Sequence, residues 1–227
     1  DVSCQEIPKE TGSQTFSWKK RSDVMDNLFA FVLGKNKELS LAEIFSNLRT
    51  RKIKFKVEGI DDEFAIFYLP AKVDIKDFGG VIKIVKLLDK ISKIDFPENI
   101  DVKKLFTDKN KIEFGVSLYG SDSLKLVENV ASTIKNQLKE ASIQSNYMIS
   151  NDRPFLTHVE VIKRDLEEVV IFSVGNDYYI GKTVGVHNPF EFQKRDVGRP
   201  DQRAIYSIPP RLAKIMINLL EIILKVK

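Results

Sequence analysis

Cysteine and histidine are nearly missing from this chain, and their scarcity excludes several kinds of site. The 227 residues include one cysteine, Cys4, and two histidines, His158 and His187. A single cysteine cannot form a disulfide within the chain, and these three residues cannot supply the ligands of a usual structural zinc site. We therefore expect no metal centre. The lack of an internal disulfide is typical of a protein from the reducing cytoplasm.

Long hydrophobic runs are also missing. No stretch of about 18 consecutive apolar residues occurs, so the sequence predicts no transmembrane helix, and the N-terminus lacks the layout of a signal peptide. Hydrophobic residues make up 43% and charged residues 30% of the chain, which is typical of a globular protein. The net charge of +4 is a mild excess that would assist binding to a polyanion, although charge alone does not predict it.

Residues 1–26 are interpreted as a polar leader, and an α+β domain is predicted from 27 to 97. Ser40 and Glu43 have the spacing of a capping box, which predicts the start of a helix that ends near residue 51. The remaining pattern predicts strands at 28–33, 53–57 and 64–69, a helix at 81–88 and a strand at 91–96. The resulting order βαββαβ is that of a ferredoxin-like fold.

A second unit, predicted from 98 to 187, combines one amphipathic helix with several strands. The apolar face of the helix carries Leu124, Val127, Ala131, Ile134 and Leu138. The other predicted elements are a short helix within 101–110 and strands near 111–118, 155–163, 168–174 and 178–186. This pattern predicts an α/β sandwich. His158 would lie inside a strand, whereas His187 would lie at a strand end, a better position for binding.

The C-terminal part is predicted to be a charged linker at 188–209 followed by an amphipathic helix at 210–227. Prolines and glycines exclude a regular element from the linker. In the helix, Arg211, Lys214 and Asn218 fall on the polar face. The opposite face is predicted to dock on another domain through Leu212, Ile215, Met216, Leu219, Ile222 and Ile223. We expect the packing partner of this apolar face to be absent from the chain.

No complete catalytic site can be assembled from these residues. Gly181-Lys-Thr183 ends like a phosphate-binding P-loop, but the first glycine of that motif is missing because position 176 is asparagine. Cys4 lies in the leader and has no neighbouring base in the sequence. We therefore expect the chain alone to be inactive.

Two segments near the C-terminus carry a more specific signal. The strings Phe192-Gln-Lys-Arg-Asp-Val-Gly-Arg-Pro200 and Ser207-Ile-Pro-Pro-Arg-Leu-Ala-Lys-Ile-Met-Ile-Asn-Leu219 are distinctive. They resemble the linker and first catalytic-domain helix of archaeal-type tRNA guanine-N2 methyltransferases with an N-terminal THUMP domain. The resemblance covers about 28–227 and is strongest after 178. It implies that a THUMP-type RNA-binding domain occupies 98–187, after the ferredoxin-like domain.

The same resemblance implies binding to the acceptor arm and 3′ end of tRNA, with S-adenosylmethionine as the methyl donor of the complete enzyme. The methyl-donor loop and the proline-proline-aromatic motif of that family do not occur here. The helix at 210–227 is therefore interpreted as the first helix of a truncated methyltransferase domain, and no cofactor is expected in this chain.

The expected RNA contacts are cations of both units and the linker: Lys52, Lys54, Lys56, Arg153, Lys163, Arg164, Lys182, Arg195, Arg199 and Arg203. Any one of the strand lysines could instead be a solvated residue that discourages edge-to-edge aggregation. The alternative function is a non-catalytic RNA-binding adaptor, because THUMP-like domains also accompany other tRNA modifications.

Overall fold

The chain folds around one continuous eight-stranded sheet in a computed structural model that describes residues 25–106, 111–198 and 208–225. The side chains of 195–197 and 221–225 lie outside this description. The strands are β1 (Leu28–Leu33), β2 (Lys56–Ile60), β3 (Phe64–Tyr68), β4 (Val81–Ser92), β5 (Lys111–Tyr119), β6 (Gln144–Met148), β7 (Glu167–Val174) and β8 (Asp177–Val186). Their order is β2-β3-β1-β4-β8-β7-β5-β6, antiparallel except that β5 pairs in parallel with β6 and β7.

The helices are α1 (Lys37–Thr50), α2 (Val102–Leu105), α3 (Leu124–Glu140), α4 (His158–Arg164), α5 (Pro189–Val197) and α6 (Pro210–Lys225). The starts of α1 to α5 are capped by polar side chains that satisfy free backbone amides. Asn36 Oδ1 accepts a hydrogen bond of 3.0 Å from the amide of Leu39 at the start of α1. Ser123 Oγ accepts one of 3.2 Å from the amide of Leu126 at the start of α3.

The sheet curls so far that strands distant in its order touch each other. Phe64 of β3 and Phe172 of β7 are four strand positions apart, which would be about 19 Å in a flat sheet. Their ring centroids are only 4.7 Å apart. The amide of Gly120, at the end of β5, also donates a hydrogen bond of 2.9 Å to Glu63 beside β3. One apolar core therefore joins the inner faces of the two halves of the sheet.

The outer face of the sheet is covered by a helix in each half. Ile44 and Leu48 of α1 pack with Phe31 and Phe67 of the N-terminal strands. On the other half, α3 contributes the apolar face that the sequence predicted, and it packs on β5 and β7. The mixed α and β character is thus confirmed. The domain boundaries predicted at 97 and 187 stay predictions. Strand β4, which precedes residue 97, pairs with β8, which follows it, so the two predicted domains share a single sheet.

The predicted helix at 81–88 was wrong, and with it the βαββαβ order. These residues belong to the 12-residue strand β4, which continues to Ser92 and ends in a 3₁₀ turn over Lys93–Asp95. The observed order of this segment is β1-α1-β2-β3-β4. Apolar residues on both faces of β4 are buried, so the strand lacks the alternation that identifies a half-buried strand.

The strand predicted near 155–163 was also wrong, because a capping box starts helix α4 there. The amide of Thr157 donates to Glu160 Oε2 at 2.7 Å, while the amide of Glu160 donates to Thr157 Oγ1 at 3.3 Å. His158 is consequently the first residue of a helix. The reciprocal hydrogen bonds outweigh the β-branched residues that suggested a strand.

Two further local predictions need correction. Helix α1 begins at Lys37 and is capped by Asn36, so Ser40 and Glu43 do not form its capping box and are instead buried within it. The linker predicted at 188–209 contains helix α5, which starts at Pro189 after an Asn188 cap. Proline suits the first turn of a helix, because its missing N–H would have no partner there.

Candidate nucleic-acid interface

Three of the predicted RNA contacts are engaged within the protein. Both carboxylate oxygens of Glu160 accept hydrogen bonds of 3.0 Å from Arg153. Lys182 forms an ion pair with Glu167, and Lys56 lies 3.8 Å from Glu58. Contact of Arg153 or Lys182 with RNA would therefore compete with an internal carboxylate.

Four of the predicted contacts are exposed cations: Lys52, Lys54, Lys163 and Arg164. Within the described part of the chain, no carboxylate forms an ion pair with any of them. Arg195 lies in α5, where its side chain is outside the description, and Arg199 and Arg203 are outside the described residues altogether. These four cations therefore form two exposed pairs, Lys52 with Lys54 and Lys163 with Arg164.

Lys52 and Lys54 belong to a surface that we call the basic edge, formed by Arg49, Lys52, Lys54 and Lys56 beside the rings of Phe45 and Phe55. Lysines alternate here with apolar residues along the sequence. The lysines are exposed while Ile53, Phe55 and Val57 face the core, although the strand predicted at 53–57 begins only at Lys56. The two rings are 5.7 Å apart, and the Arg49 guanidinium lies 6.0 Å from the Phe45 ring. Cations beside partly exposed rings suit a nucleic-acid backbone and its bases.

Sequence reasoning missed a second basic surface, an open groove of about 570 Å³ on the outer face of the sheet. Lys72 and Lys86 line it together with one carboxylate, Asp26, and with Phe29 and Val184. Lys86 is directly opposite Lys182 in the pairing of β4 with β8. No local signal could have revealed this surface, because it depends on long-range strand pairing.

Helix α6 packs on α1 through its polar face, which the sequence predicted to be exposed to solvent. Arg211 Nε donates to the carbonyl oxygen of Gly79 at 2.7 Å. Asn218 Nδ2 donates to Glu43 Oε1 at 2.7 Å and to the carbonyl of Asp77 at 2.9 Å. The prediction that Arg211 and Asn218 lie on an exposed face was wrong, as was the expectation that the helix has no partner within the chain. Polar side chains face α1 because backbone carbonyls and a carboxylate line this contact.

The predicted apolar docking face of α6 is split by this arrangement. Ile215 is buried against the chain and Leu219 is half-buried, whereas Leu212 and Met216 are 38% and 44% exposed. Ile217 and Leu220 extend the exposed apolar surface, and the side chains of Ile222 and Ile223 lie outside the description. We call Leu212, Met216, Ile217 and Leu220 the outer row of α6.

Gly79 permits the close approach of α6, which leads to a prediction. A Cβ atom at Gly79 would lie 2.5 Å from the carbonyl oxygen of Arg211 and 2.9 Å from the side chain of Ile215. We expect Gly79→Ala to lower the free energy of unfolding by about 1–3 kcal/mol and to speed amide exchange in α6. Gly59→Ala is the matched control, since nothing lies within 4 Å of its Cβ position. Equal exchange rates in the two variants would contradict this role of Gly79.

Glu43 is the centre of the α6 contact. Its side chain is fully buried, and it accepts hydrogen bonds of 2.7 Å from the amides of Gly79 and Gly80. Together with the hydrogen bond from Asn218, these bonds give the carboxylate three donors. Burial lowers the pKa of the nearby Arg211, and the negative charge of Glu43 offsets part of that effect.

A second buried carboxylate, Glu168, pairs with Lys83 inside the curled sheet. Both side chains are fully buried, and the Lys83 ammonium also donates to the carbonyl of Leu156 at 2.7 Å. Glu168 accepts further hydrogen bonds from Ser117 at 2.5 Å and Thr183 at 2.6 Å. Burial lowers the pKa of Lys83, while Glu168 counteracts the shift. The network connects β4, β5, β7 and β8, so we assign it a structural role.

The two histidines lie together at the end of the sheet where β8 stops. His187 is 3% exposed, and its ring centroid lies 4.8 Å from that of Phe192 and 5.9 Å from that of His158. Burial, followed by the charges of Arg211, His158 and Lys214, lowers the pKa of His187 to about 4. Burial and the charges of Arg211 and Lys83 also lower the pKa of His158. Both rings are therefore neutral near pH 7.

The depressed pKa of His187 predicts a specific dependence of stability on pH. The unfolded chain binds the proton near the ordinary value of 6.5, so protonation favours unfolding as the pH falls from 6.5 towards 4. Stability from this group is complete above 6.5 and is lost by up to about 1.4 kcal/mol per pH unit below it. Between pH 6.5 and 4, we expect the free energy of unfolding, measured with urea, to fall less for His187→Phe than for the wild type. An equal fall for the two proteins would contradict the lowered pKa of His187.

The glycine turns after β1 and β5 leave no room for S-adenosylmethionine. Such cofactors are held where a glycine turn after a strand leaves room at a helix N-terminus. A Cβ atom at Gly34, between β1 and α1, would lie 2.5 Å from the carbonyl oxygen of Gly80. One at Gly120, after β5, would lie 2.8 Å from the carbonyl oxygen of Ser173. Protein atoms fill both turns, so no methyl-transfer step is assigned to this chain.

Within the described ranges, no three metal-ligating side chains are grouped, and no helix combines the length and apolar character needed to cross a membrane.

No family model and no curated protein matches the chain. Among solved structures, PH1313 from Pyrococcus horikoshii Ot3 is 16% identical, with a TM-score of 0.44, over 69% of this chain and 53% of its own. TrmN from Thermus thermophilus is 11% identical, with a TM-score of 0.46, over 85% and 53%. A predicted N6-adenine-specific DNA methylase from Listeria monocytogenes is 9% identical, with a TM-score of 0.45, over 85% and 48%. The chain thus spans about half the length of each structure, and likenesses this distant carry no argument about function.

Proposed function

We propose that this chain is the tRNA-binding portion of an S-adenosylmethionine-dependent tRNA guanine-N2 methyltransferase, and that it positions the acceptor arm for a catalytic domain after α6. The observation that carries the proposal is the family-like sequence from 192 to 219. Two residues of that sequence hold α6 in place: Arg211 donates to the carbonyl of Gly79, before β4, and Asn218 donates to Glu43 of α1. A helix held by its polar face presents the outer row to another domain, which would bury these apolar side chains.

The basic edge supports the RNA-binding part of the proposal. Exposed lysines contact phosphates without reading sequence, and phosphate contacts fix the orientation of a nucleic acid on a protein. Phe45 and Phe55 add ring surface next to these charges. In this proposal, residues 98–187 are the THUMP-type domain, and its exposed Lys163 and Arg164 provide a second contact with the same tRNA.

Charge reversal at the basic edge tests this assignment. We expect the double variant Lys52→Glu/Lys54→Glu to bind tRNA about tenfold more weakly than the wild type near 0.1 M salt, because two phosphate contacts are lost. Fluorescence anisotropy with labelled tRNA measures the affinity. Lys103→Glu/Lys125→Glu is the matched control, since it changes the net charge equally at two other exposed lysines. An equal loss in the two double variants would contradict a local interface.

The alternative is a non-catalytic RNA-binding adaptor that docks on a partner through the outer row. Its support is the exposed outer row, whose apolar side chains would be buried equally well on a separate protein. Sequencing the gene past the codon for Lys227 distinguishes the two: a methyl-donor loop there supports the methyltransferase, and a stop codon supports the adaptor.

A further inference from the structure

We propose that a cavity between the two halves of the curled sheet binds a small uncharged molecule that carries a primary carboxamide on an apolar body. The cavity lies where the end of β1 and the start of β4 meet the end of β5 and the chain that leads into α4. We call it the tyrosine cavity, because Tyr119 forms part of its wall. The proposal goes beyond the RNA-binding function, since none of the described cations assigned to RNA lines this space.

The size and the walls of the tyrosine cavity suit a small organic ligand. Its volume is about 420 Å³, within the range of roughly 300–1,000 Å³ that is usual for small-molecule sites. Most of the wall is apolar and is formed by Val32, Leu33, Ile82, Phe155 and Leu156. An apolar ligand body would leave water and bury its surface against these side chains.

Tyr119 contributes a hydroxyl group that has no partner inside the protein. The residue is 4% exposed, and its ring stacks on those of Phe155 and Phe172 at centroid distances of 5.3 and 5.6 Å. Within the described part of the chain, its hydroxyl forms no hydrogen bond. Burial, followed by the negative charges of Glu168 and Glu63, raises the pKa of Tyr119 well above its usual value. The hydroxyl therefore keeps its proton and can donate a hydrogen bond to a ligand.

His158 is the second polar group in the wall that lacks a partner. Its ring is half-buried, and neither ring nitrogen forms a hydrogen bond among the described residues. Because burial and the positive charges of Arg211 and Lys83 lower its pKa, the ring is neutral near pH 7 and has one nitrogen that accepts. The cavity thus offers a donor on Tyr119 and an acceptor on His158.

The charged side chains around the cavity favour an uncharged ligand. Two cations and two carboxylates line it: Lys35, Lys83, Asp62 and Glu63. Their charges balance, and the buried Lys83 is already paired with Glu168. A charged ligand group would lose its hydration in the apolar part of the cavity without gaining a buried partner of opposite charge.

A primary carboxamide is a neutral group that complements both unpartnered side chains. Its carbonyl oxygen can accept from the Tyr119 hydroxyl, while its N–H can donate to the unprotonated nitrogen of His158. A carboxylate of the same shape has no donor for His158 and brings a negative charge into an apolar space. The carboxamide therefore satisfies the polar groups of the wall at the smallest cost of desolvation.

Titration with benzamide, followed by the chemical shifts of the cavity residues, tests the proposal. We expect benzamide to bind about tenfold more tightly than benzoate, which has the same shape but lacks the N–H donor. Tyr119→Phe should weaken benzamide binding about five- to tenfold, because it removes only the hydroxyl. Tyr178→Phe is the matched control, since it makes the same change in a different core and should bind benzamide like the wild type.

Equal affinity of the wild type and Tyr119→Phe for benzamide would overturn the proposal, as would tighter binding of benzoate. If Tyr119→Phe fails to fold, the wild type still decides through its His158 ring resonances. The chain has only two histidines, so these resonances can be assigned with one substitution at His187. Benzamide should shift them, and unchanged resonances would overturn the site. Failure of the tRNA-binding function would appear separately, as an absence of salt-sensitive affinity for tRNA, and would leave these readouts unchanged.

Discussion

Replacing Glu43 with alanine should lower the free energy of unfolding by about 3–5 kcal/mol and release α6 from α1. The amides of Gly79 and Gly80 and the amide group of Asn218 would all lose their acceptor in a buried place. An unsatisfied buried donor costs about 1–3 kcal/mol, so the loss of three is large even if water enters. Chemical unfolding measures the stability, and amide exchange measures the release of α6.

Glu38→Ala is the control for this prediction. Glu38 is an exposed carboxylate in the first turn of the same helix, so its loss should change stability by less than about 1 kcal/mol. Glu43→Gln should fall between these variants, because the amide keeps one oxygen as an acceptor. If Glu43→Ala unfolded at the same denaturant concentration as Glu38→Ala, Glu43 would not be the centre of the helix contact.

Replacing Lys83 with methionine should also cost about 3–5 kcal/mol, because it leaves the Glu168 carboxylate buried without its cation. The matched control is Lys90→Met, which removes an exposed pair with Asp177 at 3.0 Å and should cost less than about 1 kcal/mol. The double variant Lys83→Met/Glu168→Leu should recover part of the loss, because no buried charge remains. Equal stability of the Lys83 and Lys90 variants would contradict the structural role assigned to the network.

Local signals were sufficient for the elements whose faces differ in polarity. Helix α3 buries one apolar face, and the basic edge alternates lysines with core residues, so both were predicted from sequence spacing. Strand β4 was not, because it is buried on both faces and its apolar run imitates a helix. A short apolar run of this kind fits a strand or a helix equally well until its partners are known.

The candidate sites depend on contacts between residues distant in the chain, which explains what the sequence could not predict. Glu43 and Asn218 are 175 positions apart, and nothing local indicates that an asparagine on a polar helix face meets a buried carboxylate. The cavity of about 220 Å³ beside His187 likewise combines residues from α4, α5, the end of β8 and the 3₁₀ turn at Ile75–Asp77. By contrast, Lys52 and Lys54 were predicted correctly as exposed, because each alternates in sequence with an apolar residue that faces the core, although neither lies within β2.

The most direct test of the central claim is a salt titration of tRNA binding by the wild-type chain. If Lys52 and Lys54 of the basic edge and Lys163 and Arg164 of α4 contact phosphates, the logarithm of the affinity should fall linearly with the logarithm of salt concentration. Each contact contributes a slope of about 0.7–0.9, so four contacts predict a slope near −3. An affinity for tRNA that stays constant between about 50 and 200 mM salt would contradict the proposal that this chain binds tRNA through these cations.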